Sequence, residues 1–134
     1  MTSPHEFLHP AHWKPAMGYA NGVAARGRLV VTGGIIGWNA DQQFETDDFA
    51  EQAAQVLRNI VEVLACAGAS PMHIVRLTWY VTDKQDYLAS LKDLGRAYRE
   101  IIGRHYPAMA LVQVVALVED RAKLEIEATA VVPD

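Results

Sequence analysis

Residues 108–132, AMALVQVVALVEDRAKLEIEATAVV, carry the pattern that decides the fold. Leu124, Ile126, Ala128 and Ala130 alternate with Glu125, Glu127, Thr129 and Val131, so Lys123 to Val132 reads as a strand. Ala108 to Leu117 reads as a second strand, with Glu119-Asp120-Arg121 as the connecting turn. This second strand has no polar face. Met109, Leu111, Val115 and Leu117 point one way; Ala110, Val112, Val114 and Ala116 point the other. A strand that is apolar on both faces is usually buried on both. Helices can cover one face, and a second copy of the chain is the simplest cover for the other.

Upstream, Val75, Leu77, Trp79 and Val81 alternate with Arg76, Thr78, Tyr80 and Thr82, which makes His73 to Thr82 a strand. Two helices flank it. The first opens at Asp48, an N-cap residue with Glu51 three positions on in a capping-box pattern. Its apolar face is Phe49, Ala53, Val56, Leu57, Ile60, Leu64 and Ala67, and Gly68 and Pro71 end it. The second starts near Asp83 or Asp86, carries Leu88, Leu91, Leu94, Tyr98, Ile101, Ile102 and His105, and closes at Pro107. Arg28 to Ile36, RLVVTGGII, is a strand rich in β-branched residues, and residues 19–36 read as a hairpin. Residues 1–17 form an irregular lead-in. The order is β-β-α-β-α-β-β, an α+β domain with two helices on one sheet face.

A chain of 134 residues is one domain, and 51% apolar residues with 21% charged ones exclude disorder. No apolar run is long enough to span a membrane, and no signal peptide is visible, so the chain reads as a cytosolic protein. The net charge of −4 and the lack of a basic patch argue against nucleic acid as a partner. One cysteine, Cys66, excludes an internal disulfide and reads as a small buried apolar residue. His5, His9, His12, His73 and His105 have no strong metal-ligand spacing. The glycines match neither a phosphate-binding loop nor a dinucleotide fingerprint.

An ordered set of short pieces resembles the RidA family, also called YjgF or endoribonuclease L-PSP. The set runs from Gly18-Tyr19 through Leu29–Gly34, Glu51-Gln52-Ala53, Gln55-Val56-Leu57 and Asn59-Ile60. It continues with Ala67-Gly68-Ala69-Ser70, Ile74-Val75, Tyr80-Val81-Thr82-Asp83, Pro107-Ala108 and Glu125-Ile126-Glu127-Ala128. The resemblance implies a chorismate-mutase-like fold and a homotrimer whose sheets face a central barrel, with ligand clefts at the subunit interfaces. It implies a small-molecule substrate: hydrolysis of a reactive enamine or imine to a carbonyl compound and ammonia, with no metal or organic cofactor.

Of the family's site positions, Tyr19 and Glu125 are kept. The resemblance gives Glu125 the task of positioning the attacking water and places Tyr19 in the cleft. The family arginine after Pro-Ala, which clamps a substrate carboxylate, is Met109 here, and the serine of its Ser-Gly pair is Gly33. Its asparagine near the second helix has no match around Leu91-Lys92. Methionine cannot hold a carboxylate, so a more apolar substrate suits Gly33, Gly34 and Met109, with Trp38 as a further wall. Arg76 or Lys92 could supply a replacement cation. Gln113 stands where the family often has an acid, as a substrate contact or a pairing group between subunits.

Each candidate also has a plain structural reading. Glu125 and Glu127 could form a solvated acidic face, Gly33-Gly34 a bulge, Met109 core, and Tyr19 and Trp38 packing aromatics. The alternative function is a trimeric ligand-binding or regulatory module without catalysis, for which the missing arginine is the best support.

Overall fold

The computed structural model describes residues 2–134. A five-stranded mixed sheet is built on β7 (Leu124–Val132). On one side β7 pairs antiparallel with β3 (Arg28–Val31) and with the two-residue β4 (Ile35–Ile36). On the other it pairs antiparallel with β5 (Ile74–Val81), which in turn pairs parallel with β6 (Ala108–Gln113). Parallel neighbours need a crossover, here α2 (Lys84–Ala89) and α3 (Leu91–Ile101). A small second sheet joins β1 (Glu6–Leu8) to β2 (Gly22–Ala24).

The long helix α1 (Phe49–Ala65) packs against α3 and β7. Val56, Leu57, Ile60 and Leu64 are fully buried against Leu77, Leu124, Ile126 and Ala130. The expected alternation of β7 therefore holds, with its alanine and leucine face under the helices. Among the described residues no helix covers the opposite face of the sheet. There Leu29, Val31 and Val112 are 65%, 62% and 46% exposed, beside Glu125, Glu127 and Thr78.

The N-cap at Asp48 holds, since its carboxylate accepts from the Glu51 amide at 3.0 Å. The reciprocal half of the box does not form, because Thr46 Oγ1 accepts from the Asp48 amide instead. Gly68 takes φ +72°, and the Ala69 amide returns to the Leu64 carbonyl, closing the helix end.

Several expectations need correction. Residues 19–36 are not a hairpin: β2 pairs with β1, inside the supposed irregular lead-in, and β3 pairs with β7. The second helix is split at Ser90 and ends at Ile101, with Gly103 at φ +95°. His105 is thus in a loop, though buried. The strand from Ala108 stops at Gln113, so Val115 and Leu117 are not on its face. A register shift at Val75 puts Ile74, not Val75, on the buried side. Cys66 is exposed at the C-cap of α1 rather than buried.

Candidate functional site

The sheet separates the expected site residues into two groups. Met109 pairs with Leu77, whose side chain is buried under the helices together with that of Ala128. Glu125 pairs with Tyr80 on the uncovered face. Met109 and Glu125 therefore lie on opposite faces of one sheet.

Tyr19 and Met109 share a cavity of about 450 Å³ between β6, α3 and the segment before β2. Tyr19 is placed there because the Ala20 amide bonds to the Pro107 carbonyl at 3.0 Å, laying this segment beside the start of β6. The walls are apolar and aromatic, and among the described residues no Asp, Glu, Lys, Arg or His lines them. Neither Arg76 nor Lys92 replaces the missing cation within this cavity.

Gly34, Trp38 and Glu125 line a second cavity of about 470 Å³. The two cavities share no residue. Gly34 is packed against Glu125: a Cβ at Gly34 would overlap Glu125 Oε2 and lie 2.7 Å from Cδ. Gly33 differs, since a Cβ there would meet nothing within 4 Å. The paired glycines thus have separate reasons, close approach at Gly34 and open space at Gly33.

Polar side chains on α1 hold this second cavity in place. Asn59 Nδ2 donates to the carbonyls of Ile36 and Trp38 at 3.1 and 2.8 Å, fixing the chain that carries Trp38. Trp38 also meets the Phe44 ring at 6.0 Å, and the Arg121 guanidinium lies over that ring. Gln52 is fully buried, donating to the carbonyls of Thr46 and Arg121 and accepting from the Lys123 amide. Gln52 so joins the loop before α1 to the start of β7. In the sequence Gln52 and Asn59 enter only as pieces of the family resemblance, with no site role attached, since each is one polar letter beside an apolar helical stripe.

Glu127 accepts from the Tyr80 hydroxyl at 2.8 Å. That bond, with the negative charges of Glu127 and Glu125, raises the Tyr80 pKa above the ordinary phenol value. Tyr80 therefore stays a neutral donor on the uncovered face. Gln113 lines neither cavity; its side-chain carbonyl accepts from the Lys84 amide at 2.9 Å and anchors the start of α2.

The sequence model of the endoribonuclease L-PSP family matches residues 10–132. A RutC family protein of Haemophilus influenzae is 35% identical over 105 residues, 78% of this chain and 80% of that one. A human protein named 2-iminobutanoate/2-iminopropanoate deaminase is 30% identical over 105 residues, 78% of this chain and 73% of that one. Among solved structures, the Rid family protein YyfB from Yersinia pestis superposes with a TM-score of 0.85 at 31% identity, covering 96% of this chain and 98% of that one. By sequence and by fold, the chain belongs to the RidA/YjgF family, also known as endoribonuclease L-PSP.

Proposed function

We propose that the protein is a hydrolytic deaminase of a reactive enamine or imine, releasing a carbonyl compound and ammonia, with a substrate more apolar than a small imino acid. The observation that carries this reading is the close seat of the Glu125 carboxylate against Gly34, beside Trp38 in an open cavity. A carboxylate held in that way can orient a water for attack on an imine carbon and take its proton. The cavity around Met109 and Tyr19 supplies an apolar site for the body of the substrate. No cation lines it, so a substrate carboxylate would enter unpaired.

Since Met109 and Glu125 lie on opposite sheet faces, one copy alone cannot bring both to one ligand. The proposed assembly is a homotrimer in which the uncovered sheet faces meet and the two cavities of neighbouring copies close into one cleft. The exposed Leu29, Val31 and Val112 support such a contact. Glu125 is the water-positioning residue. Tyr19, Met109, Gly33, Gly34 and Trp38 shape the cleft.

Ammonia release from imines generated by an amine oxidase tests the chemistry. Glu125→Gln is expected to abolish turnover while leaving ligand binding in place; full activity in this variant would remove the reading. Mixing Glu125→Gln with Tyr19→Ala chains tests the shared cleft, because random reassembly restores about a quarter of the sites. Saturable binding without turnover by the wild-type chain would favour the non-catalytic ligand-binding module, for which the absent arginine already speaks.

A further inference from the structure

The cavity that holds Met109 follows β6. Met109 and Leu111, alternate residues of that strand, both line it, and Trp79 lies across from Leu111 in β5. Tyr19 stands at the other end. Ala20 bridges to Ala108, the first residue of β6, and its amide bonds to the Pro107 carbonyl at 3.0 Å. The chain at Tyr19 is therefore pinned beside the start of the strand.

Tyr19 also lines a further cavity, of about 290 Å³, with Phe7, Leu8, Pro15 and Ala16 among its walls. It is the one residue that the two cavities have in common. The chain crosses between them here. Ala16 lines the further cavity, Met17 and Gly18 line the one along β6, and Ala20 and Asn21 line the further one again. Gly18, at φ +78°, makes the turn. Tyr19 is thus the position at which the two spaces meet.

The further cavity is held by contacts that do not involve Tyr19. His9 donates from Nε2 to the Trp13 carbonyl at 3.1 Å and accepts at Nδ1 from the Asn21 amide at 3.1 Å. The Phe7 ring packs on the His105 ring at 5.7 Å. Among the described residues no Asp, Glu, Lys or Arg lines this space. An apolar chain that passed Tyr19 would find more apolar wall there.

We propose that Tyr19 sets substrate length: the cavity along β6 takes an uncharged imine or enamine with an unbranched apolar chain, up to the length at which the chain meets the Tyr19 ring. The cavity at Phe7 and Ala16 is the extension that this ring closes off. The proposal rests on the deaminase reading, which puts the reacting C=N bond at Glu125 and the apolar body of the substrate along Met109 and Leu111. Tyr19 is thereby a specificity-determining residue.

The test uses the stable carbonyl products of such substrates, the methyl n-alkyl ketones from 2-butanone to 2-decanone, titrated calorimetrically. Affinity for the wild-type protein should rise about three- to fourfold per added methylene and then stop rising at one chain length. In Tyr19→Ala the rise should continue past that length. A ketone two methylenes beyond the wild-type stop should bind the variant about tenfold more tightly than it binds the wild type. Ala16→Phe fills the extension: alone it should leave the wild-type series unchanged, and combined with Tyr19→Ala it should bring the stop back. If Tyr19→Ala fails to fold, Tyr19→Leu decides, with a smaller gain in the same direction.

The same stop in wild type and variant, a gain that survives Ala16→Phe, a wild-type rise that never stops, or failure to bind any ketone would overturn the assignment. Ammonia release is scored separately. A stop that Tyr19→Ala moves, without turnover of any imine, upholds the role of Tyr19 and removes the deaminase reading. Turnover of imines with a stop that Tyr19→Ala leaves in place does the reverse.

Discussion

Gly34 leaves the space that the Glu125 carboxylate occupies: a Cβ at Gly34 would overlap Glu125 Oε2 and come within 2.7 Å of Cδ. The glycine is therefore part of how the acid is aimed, although it carries no chemistry. It stands in the short break between β3 and β4, where the chain passes close to Glu125 and a side chain would collide with it.

Gly34→Ala should displace the carboxylate without unfolding the chain. Misplacing a reacting group by about 1 Å can cost on the order of 100-fold in rate. The expected result is a loss of that size in ammonia release on the best imine substrate, with a melting temperature close to wild type. Gly33→Ala is the steric control for stability, since a Cβ there meets nothing, and its melting temperature should also be unchanged. Wild-type turnover in Gly34→Ala would show that Glu125 need not stand where it does.

Gln52 is expected to matter more for stability than any exposed ion pair. Its amide satisfies the carbonyls of Thr46 and Arg121 and the Lys123 amide, all from a fully buried position. Gln52→Leu removes those partners and leaves the backbone groups unpaired, which should cost about 2–4 kcal/mol. By contrast, the Arg96–Asp93 pair is exposed, and its loss should be within about 0.5 kcal/mol. Urea unfolding with an unchanged slope and a lowered midpoint would bear out the first; equal midpoints for the two variants would contradict it.

Acid should loosen the fold through His105. Burial holds its pKa below the ordinary histidine value, and His5 and His73 lower it further, against a raising bond to the Ile74 carbonyl. The unfolded chain then binds a proton more readily than the folded one. Its contribution to stability is present above about pH 6.5 and is lost as the pH falls through the lower folded value. The melting temperature should drop between pH 7 and pH 5, and His105→Asn should flatten that dependence. An identical slope in the variant would assign the effect elsewhere.

How much of this was legible in the sequence depends on the range of the interaction. The face of α1 and the alternation of β7 are local periodicities, and Val56, Leu57, Ile60, Ile126 and Ala128 stand where those periods put them. The pairing of β3 with β7 joins residues about a hundred positions apart, and nothing near Arg28 announces it. The split at Ser90 and the end at Gly103 were hidden because an apolar stripe continues to His105 across both breaks. In the site, the resemblance named Tyr19 and Glu125 but not the sheet that separates Met109 from Glu125. That separation depends on strand register, which sequence spacing within one strand does not contain.

Met109→Arg tests what the missing cation does. Methionine is half-buried in a cavity with no charged group in its lining, so an arginine there would face no competing acid. Its guanidinium would supply the bidentate carboxylate contact that the wild-type cavity lacks. A charged hydrogen-bonded contact contributes about 1.5–3 kcal/mol, which corresponds to roughly 10- to 100-fold in kcat/KM. The expected outcome is a gain of that size on 2-aminoacrylate, generated in the assay by a serine dehydratase, with a matching loss on uncharged aryl imines. The gain should appear in KM more than in kcat, because the contact is made equally in the bound substrate and in the transition state. A variant that folds and still shows no gain on 2-aminoacrylate would mean that Met109 does not face the bound substrate, and the apolar cavity would lose its place in the reaction.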